Sequence, residues 1–233
     1  MKNINPKSLL LWACCLLCAF SGVFAQLPPL HWAKQYGGSS DDVPFFIKPS
    51  SDGGTITAGY TTSKDGDVHS LASREYWDLW VVKLDACGNI RWQQTLGGKG
   101  YESARDVVET GDGGFLVLGE TNSTDGGVAP GFGGTKDIWL LKLDANGNLS
   151  WQKRMGGSGL DIGNQLYLLD DGNFLIAATS SSNDGIITGN HGTGGYTDGV
   201  LIKIDPSGNV LWSKCYGGSK NEELLDIEVI NNK

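Results

Sequence analysis

The sequence predicts an all-β protein built from repeats of about 60 residues. A tryptophan followed five and six residues later by a glycine pair occurs four times, with intervals of 60, 59 and 61 residues between the tryptophans. Glycine is concentrated at turns between short apolar runs, and no run shows helical periodicity. A fixed period of this size is typical of repeat architectures. The four copies are Trp32 with Gly37-Gly38, Trp92 with Gly97-Gly98, Trp151 with Gly156-Gly157 and Trp212 with Gly217-Gly218.

Residues 1–25 have the pattern of a secretory signal peptide. A start with two lysines leads into the apolar run Ser8–Phe20, and small residues end at Ala25. The apolar run is too short for a good membrane span. We therefore expect a secreted or cell-surface protein whose mature chain begins near Gln26. Lipidation at Cys14 is the alternative.

The net charge narrows the class of partner. The whole chain has a net charge of −8, and the signal carries two lysines and no acidic residue, so the mature chain has −10. This balance argues against nucleic acid or an anionic membrane as the partner.

Cys87 and Cys215 are the cysteines left after the signal and occupy different repeat positions. We expect two unpaired thiols, with a single disulfide as the alternative.

The second repeat shows the predicted strands most clearly. Ala104–Glu109 and Phe115–Glu120 flank a glycine-rich turn and predict a hairpin. After a long polar stretch, Asp137–Asp144 and Leu149–Met155 flank an Asn-Gly turn, which permits the positive φ angles of a tight hairpin. Each repeat therefore has four predicted antiparallel strands.

Consecutive four-stranded units of this length suit the blades of a β-propeller. A β-sandwich is the structural alternative, but it gives no reason for a tryptophan, a turn and a glycine pair in fixed register. Propellers usually have at least four blades, so we expect an incomplete or open propeller that is completed by further blades or by self-association. The predicted repeat domain is 26–233, with units of about 37–96, 97–155 and 156–216, a partial unit 217–233, and flanking strands Leu30–Tyr36 and Leu224–Ile230.

The segment Leu143–Trp151 resembles the tryptophan-docking motif of propellers related to quinoprotein dehydrogenases, in which a glycine precedes the tryptophan by four residues. The mature chain also resembles secreted propeller-repeat proteins of Bacteroidetes-type bacteria. These resemblances imply the fold and no activity. Quinoprotein dehydrogenases need a full ring of blades and a set of cofactor and calcium ligands, so we do not expect that activity. The offset holds for Gly88/Trp92, Gly147/Trp151 and Gly208/Trp212.

The repeated tryptophans and glycines have a physical interpretation in this geometry. A flat ring on one blade can lie against the exposed peptide plane of a glycine in a neighbouring blade, where any β-carbon would hold the ring away. We therefore predict a structural role for Trp32, Trp92, Trp151 and Trp212 and for Gly88, Gly147 and Gly208.

An acidic residue follows the second glycine of each pair by four residues. Such a set could form a ring of carboxylates that binds a cation. Alternatively, each carboxylate accepts hydrogen bonds from nearby turn amides and fixes the crossing between blades. We favour the second interpretation, because a structural repeat needs the same local bond in every copy. The four residues are Asp42, Glu102, Asp161 and Glu222.

Calcium is the one cofactor that the loops suggest. Asp65, Asp67 and Asp125 lie in Asp-Gly segments that resemble a fragment of a calcium loop. Calcium takes six to eight oxygen ligands, and the full alternating acidic pattern is missing from the sequence. We therefore favour solvated turns over a metal site.

The sequence shows no catalytic set. His31, His69 and His191 occupy different repeat positions, and no Gly-x-Ser-x-Gly motif is present. His191 lies in a glycine-rich loop tip, where we expect a solvated turn residue. We therefore expect a non-catalytic scaffold or recognition module, and the alternative is the N-terminal fragment of a larger secreted hydrolase or dehydrogenase.

Aromatic residues near the predicted third strands are the candidate binding surface. Tyr76, Trp77 and Tyr196 could stack on a sugar or contact a protein. Trp80 and Trp139 share one register, two residues after an aspartate, and are expected in the blade core. The expected partner is a protein or a surface glycan. We expect the function in the loops 63–76, 122–136 and 181–197, where the copies differ.

Overall fold

The computed structural model describes residues 32–69, 76–192 and 194–230. The predicted signal peptide, Cys14 and His31 lie outside these ranges. The chain divides into two compact units, Met1–Ala33 and Lys34–Lys233. All strands of the described ranges belong to the second unit. In chain order they are β1 Asp42–Pro49, β2 Thr55–Thr61, β3 Asp78–Leu84, β4 Ile90–Leu96, β5 Glu102–Glu109, β6 Phe115–Thr121, β7 Asp137–Leu143, β8 Leu149–Met155, β9 Asp161–Leu168, β10 Phe174–Ser180, β11 Asp198–Ile204 and β12 Val210–Tyr216.

The strands form three four-stranded antiparallel sheets, each made by one repeat. Sheet 1 contains β1–β4, sheet 2 contains β5–β8 and sheet 3 contains β9–β12, and in every sheet the strands are neighbours in chain order. The all-β class and the four strands per repeat are confirmed. Within the described ranges, no helix is long and apolar enough to cross a membrane.

Repeated aspartates explain the turns between the third and fourth strands. The Asp144 carboxylate accepts the backbone N–H groups of Asn146 and Asn148, each at 2.8 Å. Gly147 adopts φ +83°, a left-handed conformation that other residues rarely take. Asp85 and Asp205 accept the corresponding bonds in the other sheets. The aspartate and the Gly-Asn pair that follows it therefore encode the same hairpin turn in each sheet.

The apolar cores lie between consecutive sheets. One cluster joins sheets 1 and 2, and a second joins sheets 2 and 3. Sheet 2 is thus covered on both faces, and every residue of β6 and β7 is buried. Trp80 is 7% exposed and Trp139 is 1% exposed. Their predicted place in the core is confirmed.

Two flanking strands were predicted wrongly. Residues 32–36 and 224–230 are not strands, although both lie in the described ranges. A regular strand needs a hydrogen-bonded neighbour, and sheets 1 and 3 are already complete with four strands each. The Leu224 carbonyl instead accepts a hydrogen bond of 2.8 Å from the Asn164 side chain on β9.

Cys87 and Cys215 are both free thiols. Cys87 is exposed, whereas Cys215 is partly buried. Burial, together with the charges of Asp198 and Asp161, raises the pKa of the Cys215 thiol. The thiolate is the reactive form, so Cys215 is a weak nucleophile at neutral pH.

Candidate functional site

The tryptophan rings of sheets 1 and 2 lie against glycines of the following sheet. A β-carbon added to Gly147 would lie 2.6 Å from the Trp92 ring, and one added to Gly208 would lie 2.7 Å from the Trp151 ring. The Trp92 indole N–H also donates to the Ala145 carbonyl at 3.0 Å. A β-carbon at either glycine would therefore collide with the ring that lies against it.

The other two repeated tryptophans are Trp212 and Trp32. Trp212 is half-buried, and the Lys214 ammonium lies 5.6 Å from the centre of its ring. Trp32 is half-buried and belongs to the first compact unit. Gly88 has φ +72°, and its carbonyl accepts a hydrogen bond from the Tyr36 hydroxyl.

The four repeated carboxylates all accept the backbone N–H of the second glycine of their pair. The donor–acceptor distances are 2.7 Å for Asp42 and 2.8 Å for Glu102, Asp161 and Glu222. Hydroxyl groups from the second strand add to this bond in sheets 1 to 3, from Thr61, Thr121 and Ser180. This is the hydrogen bond that the structural interpretation of these residues predicts.

The pKa of Asp161 shows how burial affects one of these repeated carboxylates. Burial raises its pKa, and the hydrogen bonds from Ser180, Gly157 and Ser182 offset only part of that effect. A folded-state pKa above the unfolded value means that protonation favours the folded state. Asp161 therefore contributes more to stability as the pH falls through its raised pKa.

Asp161→Ala is expected to lower the free energy of unfolding by about 2–4 kcal/mol, because the Gly157 N–H and the two serine hydroxyls lose their shared acceptor in a buried place. Urea denaturation at neutral pH measures the loss. Asp170→Ala, at an exposed turn, is the control and is expected to leave stability within about 0.5 kcal/mol. A loss no larger than that of the control would remove the structural role of Asp161.

The candidate calcium ligands hold the glycine-pair loops. Asp65 accepts the N–H of Ser39 at 2.7 Å, and Asp67 accepts that of Gly37 at 3.2 Å. Asp125 accepts the N–H of Lys99 at 2.8 Å. In the described part of the chain, no three His, Cys, Asp or Glu side chains are grouped in a way that could hold a metal ion.

The first strand of each sheet contains a β-bulge at one equivalent position. The register shifts leave Phe45, Arg105 and Asn164 as the extra residues. Bulges redirect a side chain and are common beside functional sites. We call the bulge residue, the second-strand residue that its side chain contacts and the residue before the third strand a bulge site. The three bulge sites are Phe45, Tyr60 and Trp77 in sheet 1, Arg105, Glu120 and Lys136 in sheet 2, and Asn164, Thr179 and Thr197 in sheet 3.

The three bulge sites have different chemistry. In sheet 1 the Phe45 and Tyr60 rings are in edge contact, with centroids 5.8 Å apart. In sheet 2 the Arg105 guanidinium lies 2.9 Å from the Glu120 carboxylate. In sheet 3 the Asn164 amide donates to the Thr179 hydroxyl at 3.0 Å. One backbone position thus carries aromatic, ionic and neutral polar groups in turn.

The sheet 1 bulge site extends into an aromatic cluster of five side chains. Trp77 stacks on Tyr60 with ring centroids 4.3 Å apart and meets the Tyr101 ring edge-on at 5.4 Å. Tyr101 in turn contacts Tyr76 at 4.8 Å. Phe45, Tyr76 and Tyr101 are 45%, 41% and 38% exposed. The cluster therefore presents stacked and tilted rings to solvent.

A pocket of about 350 Å³ opens beside this cluster. The Tyr76 and Tyr101 rings form one part of its lining, and Asn122, Lys99 and Asp125 supply polar groups. Asn122 accepts the Tyr101 N–H through its side-chain oxygen at 2.7 Å. Its amide NH₂ carries two further donor positions. The pocket thus combines ring faces with hydrogen-bonding side chains.

Sheet 2 places two cations on one buried carboxylate. The same oxygen of Glu120 lies 2.9 Å from Arg105 and 2.6 Å from the Lys136 ammonium. Burial raises the pKa of Glu120, but the hydrogen bond from Lys136 and the charge of Arg105 outweigh it and hold the pKa below its usual value. Glu120 is therefore ionised at neutral pH, and the bulge site of sheet 2 has a net charge of about +1.

His191 is exposed, as expected of a loop residue, and it also contacts a buried carboxylate. Its Nδ1 lies 2.8 Å from the carboxylate of Asp198, which is fully buried, and its backbone N–H donates to the same oxygen at 2.9 Å. The side chain is 56% exposed. The pair ties the loop tip to the start of β11.

Tyr196, 38% exposed, contacts the Lys220 ammonium, which lies 4.9 Å from the ring centre.

Comparisons with known proteins reveal distant similarities. No protein-family model matches the chain. The regulatory protein FlaEY of Caulobacter vibrioides is 24% identical over 186 residues, which cover 75% of this chain and 19% of that protein. The chain thus spans about a fifth of the length of this relative. An apocarotenoid oxygenase of Synechocystis has a TM-score of 0.39 and 15% identity, covering 74% of this chain and 38% of that one.

Sequence reasoning found only part of the aromatic cluster. Tyr76 and Trp77 were predicted as exposed aromatics, whereas Phe45, Tyr60 and Tyr101 were missed. Phe45 and Tyr60 lie on strands, outside the loops in which function was expected. Comparing the residue three places after each repeated carboxylate would have detected the bulge position, because that residue changes from Phe45 to Arg105.

Proposed function

We propose that this protein is a secreted or cell-surface recognition module that binds a surface glycan through the aromatic cluster and catalyses no reaction. The observation that carries the proposal is the contrast between positions that repeat and positions that differ. The docked tryptophans and the turn-binding carboxylates repeat and hold the sheets together. The bulge sites share one backbone geometry but carry three different sets of side chains.

The chemistry of the aromatic cluster supports a sugar ligand. Exposed tryptophan and tyrosine rings stack on the apolar C–H faces of sugars, and neighbouring amide and carboxylate groups bind hydroxyls. Tyr76 and Tyr101 supply such faces, and Asn122 and Asp125 supply such groups in the same pocket. A protein ligand is the alternative, because aromatic residues are also common in protein interfaces.

We also propose that the three sheets are blades of a β-propeller. Support comes from their four-stranded antiparallel order, their face-to-face cores and the rings that dock on glycines between them. Residues 219–230 fit the start of a further blade, because Glu222 repeats the bond of the other carboxylates. Further blades or a second copy would complete the ring.

The rival proposal is a fragment of a larger secreted hydrolase or dehydrogenase. A panel of hydrolase and dehydrogenase substrates separates the two. If a substrate is turned over and a single substitution in the aromatic cluster abolishes that turnover, the result would support the enzyme and contradict the binding module. If no substrate is turned over and the same substitution abolishes glycan binding, the result supports the recognition module.

Trp77→Ala is expected to weaken glycan binding at least about tenfold. Trp77 stacks on Tyr60 and contacts Tyr101 edge-on, so its loss removes the centre of the aromatic cluster. A glycan array followed by isothermal titration calorimetry measures the change. Tyr196→Ala, an exposed tyrosine outside the cluster, is the control and should bind as the parent does. Equal binding by the parent and by Trp77→Ala would place the ligand elsewhere.

A further inference from the structure

We propose that the aromatic cluster and the ionic bulge site of sheet 2 form one site for an acidic glycan, whose sugar ring lies on the aromatic side chains while its carboxylate or sulfate binds Arg105 and Lys136. The inference rests on the proposed function and narrows its ligand class. It assigns a role to the Arg105, Glu120 and Lys136 group, which does not line the pocket.

The two groups are contiguous on the molecule. The guanidinium carbon of Arg105 lies 5.3 Å from the centre of the Phe45 ring. Phe45 continues through Tyr60 and Trp77 to Tyr101 by ring contacts of 4.3–5.8 Å. A cation over a ring face keeps its remaining N–H groups free to bind an anion. An acid group at Arg105 would therefore lie beside the rings that stack on its sugar.

The charge balance leaves cationic capacity at the surface. The Glu120 side chain is only 2% exposed, whereas those of Arg105 and Lys136 are 35% and 27% exposed. One ionised carboxylate therefore faces inward, and two cations present N–H donors outward. Charge-assisted hydrogen bonds from arginine and lysine to carboxylate or sulfate are the strong class of polar contact. The whole chain carries −8, so this positive spot is local and suits an acid group bound at this one place.

The ionic bulge site is not explained by sheet packing. The repeated carboxylates accept backbone amides at glycine turns, whereas Glu120 is bound by Arg105, Lys136 and the Ser103 hydroxyl. Sheet 1 has aromatic rings at the equivalent positions, and sheet 3 has an asparagine and two threonines. The fold thus accommodates these positions with no charge. The charged set is specific to the sheet that borders the aromatic cluster.

Isothermal titration calorimetry with three defined sugars tests the proposal. The probes are a galacturonic acid tetrasaccharide, its carboxyl-reduced neutral counterpart and a sulfated tetrasaccharide. We expect at least one acidic probe to bind at least about tenfold more tightly than the neutral one. The tighter of the two acidic probes distinguishes carboxylate from sulfate as the preferred acid group. Raising the salt concentration should weaken acidic binding and leave neutral binding unchanged.

Variants connect this preference to the site. Lys136→Gln should reduce acidic binding about fivefold or more without affecting the neutral probe, and Lys136→Arg should restore most of the loss because it keeps the charge. Lys214→Gln removes the same charge from β12 and should change nothing. Thermal melts of all variants confirm that each one is folded before binding is compared.

The outcomes separate this inference from the proposed function. Equal affinity for acidic and neutral sugars, or acidic binding that Lys136→Gln leaves unchanged, would overturn the acidic-glycan inference while the recognition module stands. Binding only to a protein ligand, or to none of the three sugars, would also overturn it. Turnover of a sugar would instead contradict the proposed non-catalytic function.

Discussion

Trp151→Ala is expected to lower the free energy of unfolding by about 3–5 kcal/mol, the range for removing a large aromatic side chain that packs on a core, although the ring itself is half-buried. The ring packs on the apolar core between sheets 2 and 3 and covers Gly208 of sheet 3. Its loss therefore removes apolar burial and opens a space between two sheets that cannot collapse freely, because each sheet is held by its own backbone ladder.

Urea denaturation followed by far-ultraviolet circular dichroism measures this loss. Trp212→Ala is the matched control, because Trp212 occupies the same repeat position on β12 but belongs to neither apolar cluster of the described residues. We expect the control to lose about 1–2 kcal/mol. A loss below about 1 kcal/mol for Trp151→Ala would remove the tryptophan from the core.

Gly147→Ala is expected to destabilise the fold by about 2–5 kcal/mol through two effects. Gly147 has φ +83°, a left-handed conformation that costs an alanine roughly 1–2 kcal/mol. The new methyl group would also lie 2.6 Å from two atoms of the Trp92 ring, so the ring must move away from its place between sheets 1 and 2. Such overpacking adds about 1–3 kcal/mol.

Gly172→Ala separates these two effects. Gly172 has φ +80°, almost the same backbone conformation, but a β-carbon there meets no atom within 4 Å. We expect this variant to lose only the backbone cost of roughly 1–2 kcal/mol. If both glycine variants lost the same free energy, the ring contact at Gly147 would contribute nothing.

The sequence predicted the fold well where one local pattern determines the structure. The turn at Asn146-Gly147 and the strand Leu149–Met155 are as predicted, since an Asn-Gly pair, a bound aspartate and a fixed tryptophan register act together there. Pairing beyond the local hairpin was less predictable. Leu224–Ile230 has the pattern of a strand but is not one in the structure, because no strand of the described residues pairs with it.

The candidate site was predictable only in its loop residues. Tyr76 and Trp77 were identified as exposed aromatic residues near the predicted third strand. Phe45 and Arg105 were missed because a strand with strict alternation would place each of these side chains on a face of the sheet, whereas the extra residue of a bulge redirects it. Bulge positions have no strong signature in a single sequence, and here only alignment of the repeats would reveal them.

The central claim is that each repeated tryptophan and the glycine of the next sheet act as one structural unit. A double-mutant cycle on Trp92→Ala and Gly147→Ala tests it most directly by urea denaturation. Without the ring, Gly147→Ala should cost only its backbone strain, so the double variant should be at least about 1 kcal/mol more stable than the sum of the single losses predicts. Additive losses would contradict the claim, because they would show that the ring and the glycine stabilise the fold independently.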